Sequence, residues 1–189
     1  MTAQGADAGS MRLATLDDVD EIARLIERSV LGLQAGDYSP EQMAGALGSV
    51  FGVDRQLIRD GSYFVVERDG RMIGCGGWSR RQTLFGGDAV EGKNDDELRP
   101  GVDAARIRAF FVHPDFARQG VGSRLMTACE AAAQAYGFTD LTLVATLTGE
   151  PLYVRHGFEA VRRYATPLTN GGELPMVEMR KQLGIHPGR

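Results

Sequence analysis

A glycine-containing segment between a predicted strand and a predicted helix is the part of the sequence best suited to bind a ligand. It spans residues 111–125, with Gly120 and Gly122 just ahead of an apolar helical pattern. Glycine lets consecutive backbone N–H groups point inward, and the first N–H groups of a helix have no partner inside it. Together with the positive end of the helix dipole, they form a cradle for a pyrophosphate, and Arg118 and Arg124 add cationic donors at its rim.

Two common phosphate-binding motifs do not fit this segment. A dinucleotide-binding G-x-G-x-x-G pattern needs a third glycine at position 125, where the chain has Leu125. A P-loop needs Gly-Lys followed by Ser or Thr, and the sequence has no such triplet. The glycines by themselves leave a second interpretation open, because a tight turn that only caps a helix has the same composition.

A second segment follows one predicted strand later. Residues 141–145 form that strand, and a short helix with Tyr153 then ends at Gly157-Phe158. This order, together with the turn Val112-His113-Pro114 and the loop Gly120-Val121-Gly122, resembles the GNAT family, the acyl-CoA-dependent N-acetyltransferases. The resemblance is close over residues 105–160 and extends in outline to nearly the whole chain.

The resemblance implies acetyl-CoA as the co-substrate. Two positions depart from the family pattern: Ala117 stands where Gln or Arg begins the loop, with Arg118 one place later, and Thr148 stands where Asn is frequent. A threonine hydroxyl can still bond an amide of the pantetheine arm, with one donor fewer. The residues expected to bind the coenzyme are Phe111, Val112, Arg118, Gln119, Gly120, Val121, Gly122, Ser123 and Thr148.

The resemblance also implies direct transfer of the acyl group to an amine. Backbone N–H groups near residues 110–112 of the central strand would stabilise the oxyanion that develops. Tyr153 is the expected catalytic residue, because a phenol can protonate the departing thiolate. The alternative is that Tyr153 is a packing aromatic on a short amphipathic helix.

The sequence does not identify a general base. Many family members have Glu on the central strand, whereas this chain has Arg106 and Arg108, which stay charged and cannot take a proton. His113 precedes Pro114 and is predicted to be a turn residue. The remaining candidates lie between the first two helices or in and beside a long loop: Asp37, Tyr38, Glu41, Asp88, Glu91 and Asp103.

Several residues fall where a GNAT layout places the acceptor. Arg80, Arg81, Arg106 and Arg108 would suit an acceptor carboxylate or phosphate, or else lie at solvated strand ends. Trp78 either stacks on a substrate or packs in the core. Residues 80–103 show no regular pattern, so this loop is either a functional lid or disordered.

The elements that must position these residues alternate along the chain. Hydrophobic periodicity, capping signals and an Asp69-Gly70 hairpin predict the order β-α-α-β-β-β-α-β-α-β-β. This is α/β layering, and the resemblance implies the GNAT fold, with a mixed central sheet of about six to seven strands flanked by about four helices. We predict a single domain over residues 11–183, after a flexible segment at 1–10 and before a tail at 184–189.

Composition limits the remaining classes of function. The chain has 189 residues and a formal net charge of −4, which disfavours a nucleic-acid binder that depends on a basic face. Its two cysteines form no C-x-x-C pair, no metal-ligand set is evident, and no apolar run approaches the ~18 residues of a membrane span. We therefore expect a cytoplasmic protein with no nucleic-acid, metal or membrane partner.

The sequence leads to three hypotheses for the function of the protein. The leading one is transfer of an acetyl group from acetyl-CoA to a primary amine of a small-molecule acceptor. The second is a GNAT-fold module that binds CoA without turnover, which the missing central carboxylate keeps open. The third is a binder of nucleotides or phosphate sugars in the same cradle. GNAT proteins are often dimers, so a homodimer is an expectation by analogy only.

Overall fold

The computed structural model describes residues 9–184, which form a seven-stranded sheet and five α-helices. The strands are β1 (Ser10–Leu13), β2 (Tyr63–Arg68), β3 (Arg71–Ser79), β4 (Ala105–Val112), β5 (Asp140–Thr146), β6 (Glu159–Pro167) and β7 (Glu173–Gln182). The helices are α1 (Val19–Leu33), α2 (Pro40–Ala46), α3 (Arg55–Arg59), α4 (Val121–Tyr136) and α5 (Glu150–Arg155).

The sheet is mixed, as predicted. Its strand order is β1-β2-β3-β4-β5-β7-β6, and every neighbouring pair is antiparallel except β4 with β5. That parallel contact is short, since only Ala105 with Leu141 and Arg106 with Thr142 are in register. Beyond them β4 bulges at Ala109, which adopts a φ of 57°. The two strands therefore separate and leave a gap in the middle of the sheet.

Local signals explain where most elements begin and end. The Ser39 hydroxyl accepts the Gln42 N–H at 3.2 Å and starts α2, as the capping pattern predicts. Gly137 ends α4 with a φ of 109°, a conformation that favours glycine. The structure has one helix more than the predicted order, because α3 was missed, although Asp54 caps it by accepting the Gln56 N–H at 3.0 Å.

Both faces of the sheet are covered by helices. Apolar side chains of α1, α2 and α3 pack on one face, and those of α4 and α5 pack on the other. Trp78 belongs to the second cluster, where its ring lies 6.1 Å from that of Phe138, so it is a core residue. Cys75 and Cys129 are buried and unlinked.

The long loop at residues 80–103 follows a defined path. Its two arms pair, with the Gln82 N–H donating to the Asp96 carbonyl at 3.0 Å and the Thr83 N–H donating to the Asn94 carbonyl at 3.1 Å. Arg81 fixes the base of the loop through two bonds to the Asp60 carboxylate, at 2.7 and 2.8 Å. These hydrogen bonds order the loop, which lies beside the sheet.

The predicted ends of the domain fall partly outside the described residues, since residues 1–8 and 185–189 are not covered. Ser10, which the sequence placed in the flexible segment, is already part of β1. Among the described residues, no helix has the length and apolar character needed to cross a membrane.

Candidate active site

A cavity of about 90 Å³ lies where β4 and β5 separate. The β4 bulge, the first turn of α5 and the long loop all contribute to its wall. No Asp, Glu or His is among its lining residues, so the wall has no side chain that titrates between about pH 4 and 8. The lining residues are Gln34, Val50, Phe51, Gly52, Leu84, Phe85, Gly86, Ile107, Arg108, Ala109, Phe110, Phe111, Val144, Thr146, Gly149, Tyr153 and Met176.

Tyr153 reaches this cavity from α5. Its ring packs edge-to-face on Phe110, with 6.2 Å between ring centres, and against Phe158 at 6.0 Å. Burial raises the pKa of the Tyr153 phenol well above its ordinary value, so the side chain is neutral and a hydrogen-bond donor at pH 7. The structure thus brings the predicted acid and the predicted residue Phe111 to one cavity.

The predicted phosphate loop has the backbone of an anion cradle. Arg118 and Gly120 both have positive φ, 63° and 85°, and together they turn the chain into α4. The first hydrogen bond of the helix runs from the Arg124 N–H to the Gly120 carbonyl at 3.0 Å. The N–H groups of residues 121–123 precede that bond and stand at the positive end of a sixteen-residue helix. These residues fit the diphosphate of coenzyme A.

The side chains around the loop differ in how firmly they are held. The Gln119 amide donates to the Asp115 carbonyl at 2.9 Å, so its side chain braces the preceding turn. Arg118 is partly exposed at the rim. A Cβ on Gly122 would lie 3.0 Å from Leu152, so the first turn of α4 packs closely against α5, the helix that carries Tyr153.

Two other predicted coenzyme residues have protein partners in this structure. The Val112 N–H donates to the Ser29 hydroxyl at 3.3 Å, and the Phe111 backbone pairs with Cys75 of β3, which leaves the Phe110 N–H as the candidate oxyanion donor. The Thr148 hydroxyl donates to the Asp37 carboxylate at 2.7 Å. Its oxygen can still accept a hydrogen bond from an amide of the pantetheine arm.

None of the candidate general bases lines the cavity. Tyr38 is tied to the protein, with its hydroxyl donating to the Pro175 carbonyl at 2.7 Å and accepting the Leu147 N–H at 2.8 Å. Asp88 pairs with Arg55, and Asp103 accepts the Arg99 N–H. Asp37 is held by Thr148, while Glu41 and Glu91 are exposed. His113 occupies the turn, as predicted, where its Nδ1 accepts the Asp115 N–H at 3.2 Å.

Of the four arginines assigned to the acceptor side, only Arg108 lines the cavity. Arg80 and Arg81 are bound to Asp60. Arg106 donates to two backbone carbonyls, those of residues 82 and 104.

Arg108 lies in a buried charge cluster that the sequence did not reveal. Its Nη2 is 2.8 Å from Asp54 Oδ2 and donates to the Gly86 carbonyl at 2.6 Å. The same Asp54 oxygen is 3.1 Å from Lys93 Nζ. Asp54 was recognisable as a capping residue before an apolar pair, whereas Gln34, the other polar residue missed, stands at the end of α1 without any local signal.

A mixed sheet that opens between its two parallel strands, with a backbone cradle on one side and a buried phenol at the opening, defines the class of acyl-CoA-dependent N-acyltransferases. Within that class, a family model described as an acetyltransferase (GNAT) domain matches residues 59–160, and the chain belongs to the GNAT family. The predictions of family, fold and enzyme class are confirmed. No curated protein matches the chain.

Solved structures share the fold at low sequence identity. A GCN5-related N-acetyltransferase from Rhodopseudomonas palustris superposes with a TM-score of 0.68 at 23% identity, covering 96% of this chain and 100% of that one. The PaiA N-acetyltransferase of Thermoplasma acidophilum, in complex with coenzyme A, gives 0.61 at 14% identity, covering 92% and 98%. The ribosomal-protein-S18-alanine N-acetyltransferase of Escherichia coli gives 0.56 at 17%, covering 94% and 95%.

Proposed function

We propose that the protein transfers an acetyl group from acetyl-CoA to a primary amine of a small-molecule acceptor. The observation that carries this proposal is the position of Tyr153, a neutral buried phenol at the gap between β4 and β5. The cavity beside it is small and closed on one side by residues 84–86 of the long loop. A cavity of this size supports a compact amine as the acceptor rather than a polypeptide chain.

The coenzyme would be held mainly by backbone. The N–H groups of residues 121–123 and the rim side chain of Arg118 would bind its diphosphate, and Thr148 would contact the pantetheine arm. When bound, acetyl-CoA supplies the acetyl group as an activated thioester. The N–H group of Phe110 would donate to the thioester oxygen as negative charge develops on it.

Tyr153 would protonate the departing thiolate, and the resulting phenolate would take up the proton that the attacking amine nitrogen loses as it becomes an amide. A phenol is a weaker acid than a thiol in water, and burial raises the pKa of Tyr153 further. Burial acts on thiols in the same direction, however, and in this protein it raises the pKa of the Cys75 thiol to about 12. A thiolate that departs into the same dry environment is thus a strong base, which favours its protonation by Tyr153.

The amine would reach the thioester in its neutral form without a carboxylate base in the cavity. The lining residues are mostly apolar, and an apolar wall disfavours the ammonium form of a bound amine. Because the substrate loses its proton before attack, the reaction requires no Asp, Glu or His in direct contact with it.

The test of this proposal is Tyr153→Phe, assayed by thiol release from acetyl-CoA over an amine panel. We expect kcat to fall by about 10²-fold or more, in line with the loss of a general acid, while the Kd of CoA stays nearly unchanged. Tyr136→Phe is the matched control, since Tyr136 packs on Trp78 away from the cavity. Equal loss of turnover and CoA affinity, or loss of neither, would remove Tyr153 from the mechanism.

A second candidate function is a CoA-binding module without turnover. The observation that favours it is the lack of any carboxylate or imidazole among the cavity-lining residues. Tight CoA binding with no thiol release above background hydrolysis for any amine would support this module and contradict the enzyme.

A further inference from the structure

Unpartnered polar atoms are concentrated at one place in the described part of the chain. Two buried side-chain atoms of one cavity wall have no hydrogen-bond partner there: Gln34 Oε1 and Arg108 Nε. Gln34 and Arg108 line the same cavity, and Asp54 is the ion-pair partner of Arg108. A buried polar atom without a partner is unfavourable, so such atoms gathered at one cavity indicate that a ligand completes them.

Arg108 shares its close counter-charge with a second cation. Arg108 and Lys93 both approach a single oxygen of Asp54, at 2.8 and 3.1 Å. The Arg108 side chain is 4% exposed and that of Lys93 is 14% exposed, so Arg108 is the more deeply buried of the two cations. A guanidinium presents paired N–H donors that match a carboxylate, and Arg108 still has Nε unused.

A second polar residue of the cavity wall suits a donor of hydrogen bonds. Gln34 Oε1 is a buried acceptor without a partner. Gln34 directly follows the last residue of α1, where the partial negative charge of the helix end favours a group that presents N–H donors. The N–H of a neutral amine satisfies both conditions.

We infer that the acceptor is an amino acid-like molecule, a primary amine that also carries a carboxylate, with the carboxylate bound by Arg108 and the amino group bound by Gln34. This inference rests on the proposed function, because it names the substrate class of the same site. Arg108 and Gln34 are then the residues that determine specificity.

The loop shows how the carboxylate is accommodated. The Gly86 carbonyl accepts from Arg108 Nη2 at 2.6 Å, so an oxygen already occupies one donor of the guanidinium. Nε, which has no partner, remains the donor on which the acceptor carboxylate binds.

The first experiment compares matched ligands on the unaltered protein saturated with CoA. Glycine, β-alanine, γ-aminobutyrate and the larger α-amino acids are titrated beside their carboxamides by calorimetry, and the same pairs are assayed for acetylation with acetyl-CoA. We expect at least one carboxylate to bind at least tenfold more tightly than its carboxamide. Equal binding, or preference for the carboxamide as in a protein N-terminus, would overturn the inference.

The second experiment uses variants. Gln34→Met keeps the side-chain size, and Asp54→Asn combined with Arg108→Gln removes both charges of the pair and leaves the net charge of the cluster unchanged. We expect the double variant to abolish the carboxylate preference, and Gln34→Met to weaken the acid and its carboxamide alike, while CoA binding is retained. Arg80→Gln is the control, because Arg80 does not line the cavity and its variant should keep the preference. A preference that survives in the double variant, or unchanged amine binding in Gln34→Met, would contradict the inference.

The two proposals fail in different ways. Carboxylate binding that requires Arg108 and Gln34 but gives no acetylation supports the inference and contradicts the proposed transfer. Acetylation of amines without regard to a carboxylate supports the transfer and contradicts the inference.

Discussion

The coenzyme side and the acceptor side of this protein are built on different principles. The loop at residues 117–123 is one continuous segment that offers backbone N–H groups, and its geometry depends on the positive φ of Arg118 and Gly120. The acceptor cavity gathers side chains from α1, the long loop, β4, β5, α5 and β7. The first is a local structure at the surface, and the second is a buried assembly of distant segments.

This difference separates what is common to the family from what is particular to this chain. Backbone donors bind a diphosphate whatever the surrounding side chains are, so the same loop serves many enzymes. The polar groups of the proposed acceptor cavity are few and mostly buried, and Arg108 among them is charged, so we expect changes there to alter both stability and specificity. The two sides should therefore respond differently to substitution.

The largest effect is expected at the buried charge cluster. Asp54→Asn leaves Arg108 and Lys93 without their counter-charge, and loss of a buried partner typically costs about 3–5 kcal/mol of folding free energy. Asp88→Asn is the control, since the Arg55–Asp88 pair is exposed and exposed pairs contribute about 1 kcal/mol or less. Chemical denaturation measures both. Similar losses for the two variants would show that burial at Asp54 has no special cost.

The next effect is the pH dependence of kcat/KM, which should differ from that of an enzyme whose active site contains a general base. Because no titrating base lines the cavity, kcat/KM should follow the neutral fraction of the amine, and for an amine of pKa about 10.4 it should rise about 100-fold from pH 6 to pH 8. The raised pKa of Tyr153 keeps the phenol protonated over this range, so no falling limb appears. A plateau beginning between pH 6 and 8 would reveal a base acting through water.

A smaller effect is expected on the coenzyme side. Gly120→Ala places an alanine at a φ of 85°, which costs about 1 kcal/mol of strain. We expect the affinity for CoA to fall about fivefold and the KM for the acceptor to stay unchanged. Gly61→Ala is the matched control, because Gly61 has a φ of 66° and open space around it but lies after α3. Both variants should lose similar stability. Equal weakening of CoA by the two would mean that the loop backbone is not the binding element.

The smallest effect is expected for the rim of the cradle. Arg118→Asn retains a residue that tolerates a φ of 63° and removes one surface cation, so CoA affinity should fall by about threefold or less. Arg99→Asn, a highly exposed arginine in the long loop, is the control and should leave CoA affinity unchanged. If Arg118→Asn lowers CoA affinity more than tenfold, the Arg118 side chain rather than the loop backbone is the main contact. Calorimetric titration with CoA distinguishes these outcomes.

The same contrast explains how much the sequence could predict. The glycine loop, α4 and the short helix with Tyr153 were recognisable because caps, glycines and periodicity act over a few residues. The order of the elements along the chain was also predicted, apart from α3, whereas the spatial order of the strands was not. The helix α3 was missed because it has only five residues, too few for a helical period to stand out.

The acceptor cavity could not be predicted in the same way. In the sequence Arg108 could not be told apart from three other arginines, and only the fold places Asp54 beside it. The loop residue Lys93, which completes the cluster, lies 39 positions after Asp54 in the chain. Gln34 carries no local signature at all, because its importance comes from an oxygen left without a partner by the packing of α1. Long-range packing, which a single sequence does not display, selects these residues.

The brief parallel contact of β4 with β5 has a mechanical consequence. It joins a four-stranded half of the sheet to a three-stranded half through two register pairs only. The hydroxyl of Tyr38, in the segment after α1, hydrogen-bonds to Leu147 and Pro175, and so connects the layer of α1 to the three-stranded half of the sheet. Each half keeps its own antiparallel ladder, so the sheet carries an opening at its centre without losing the strand pairing on either side.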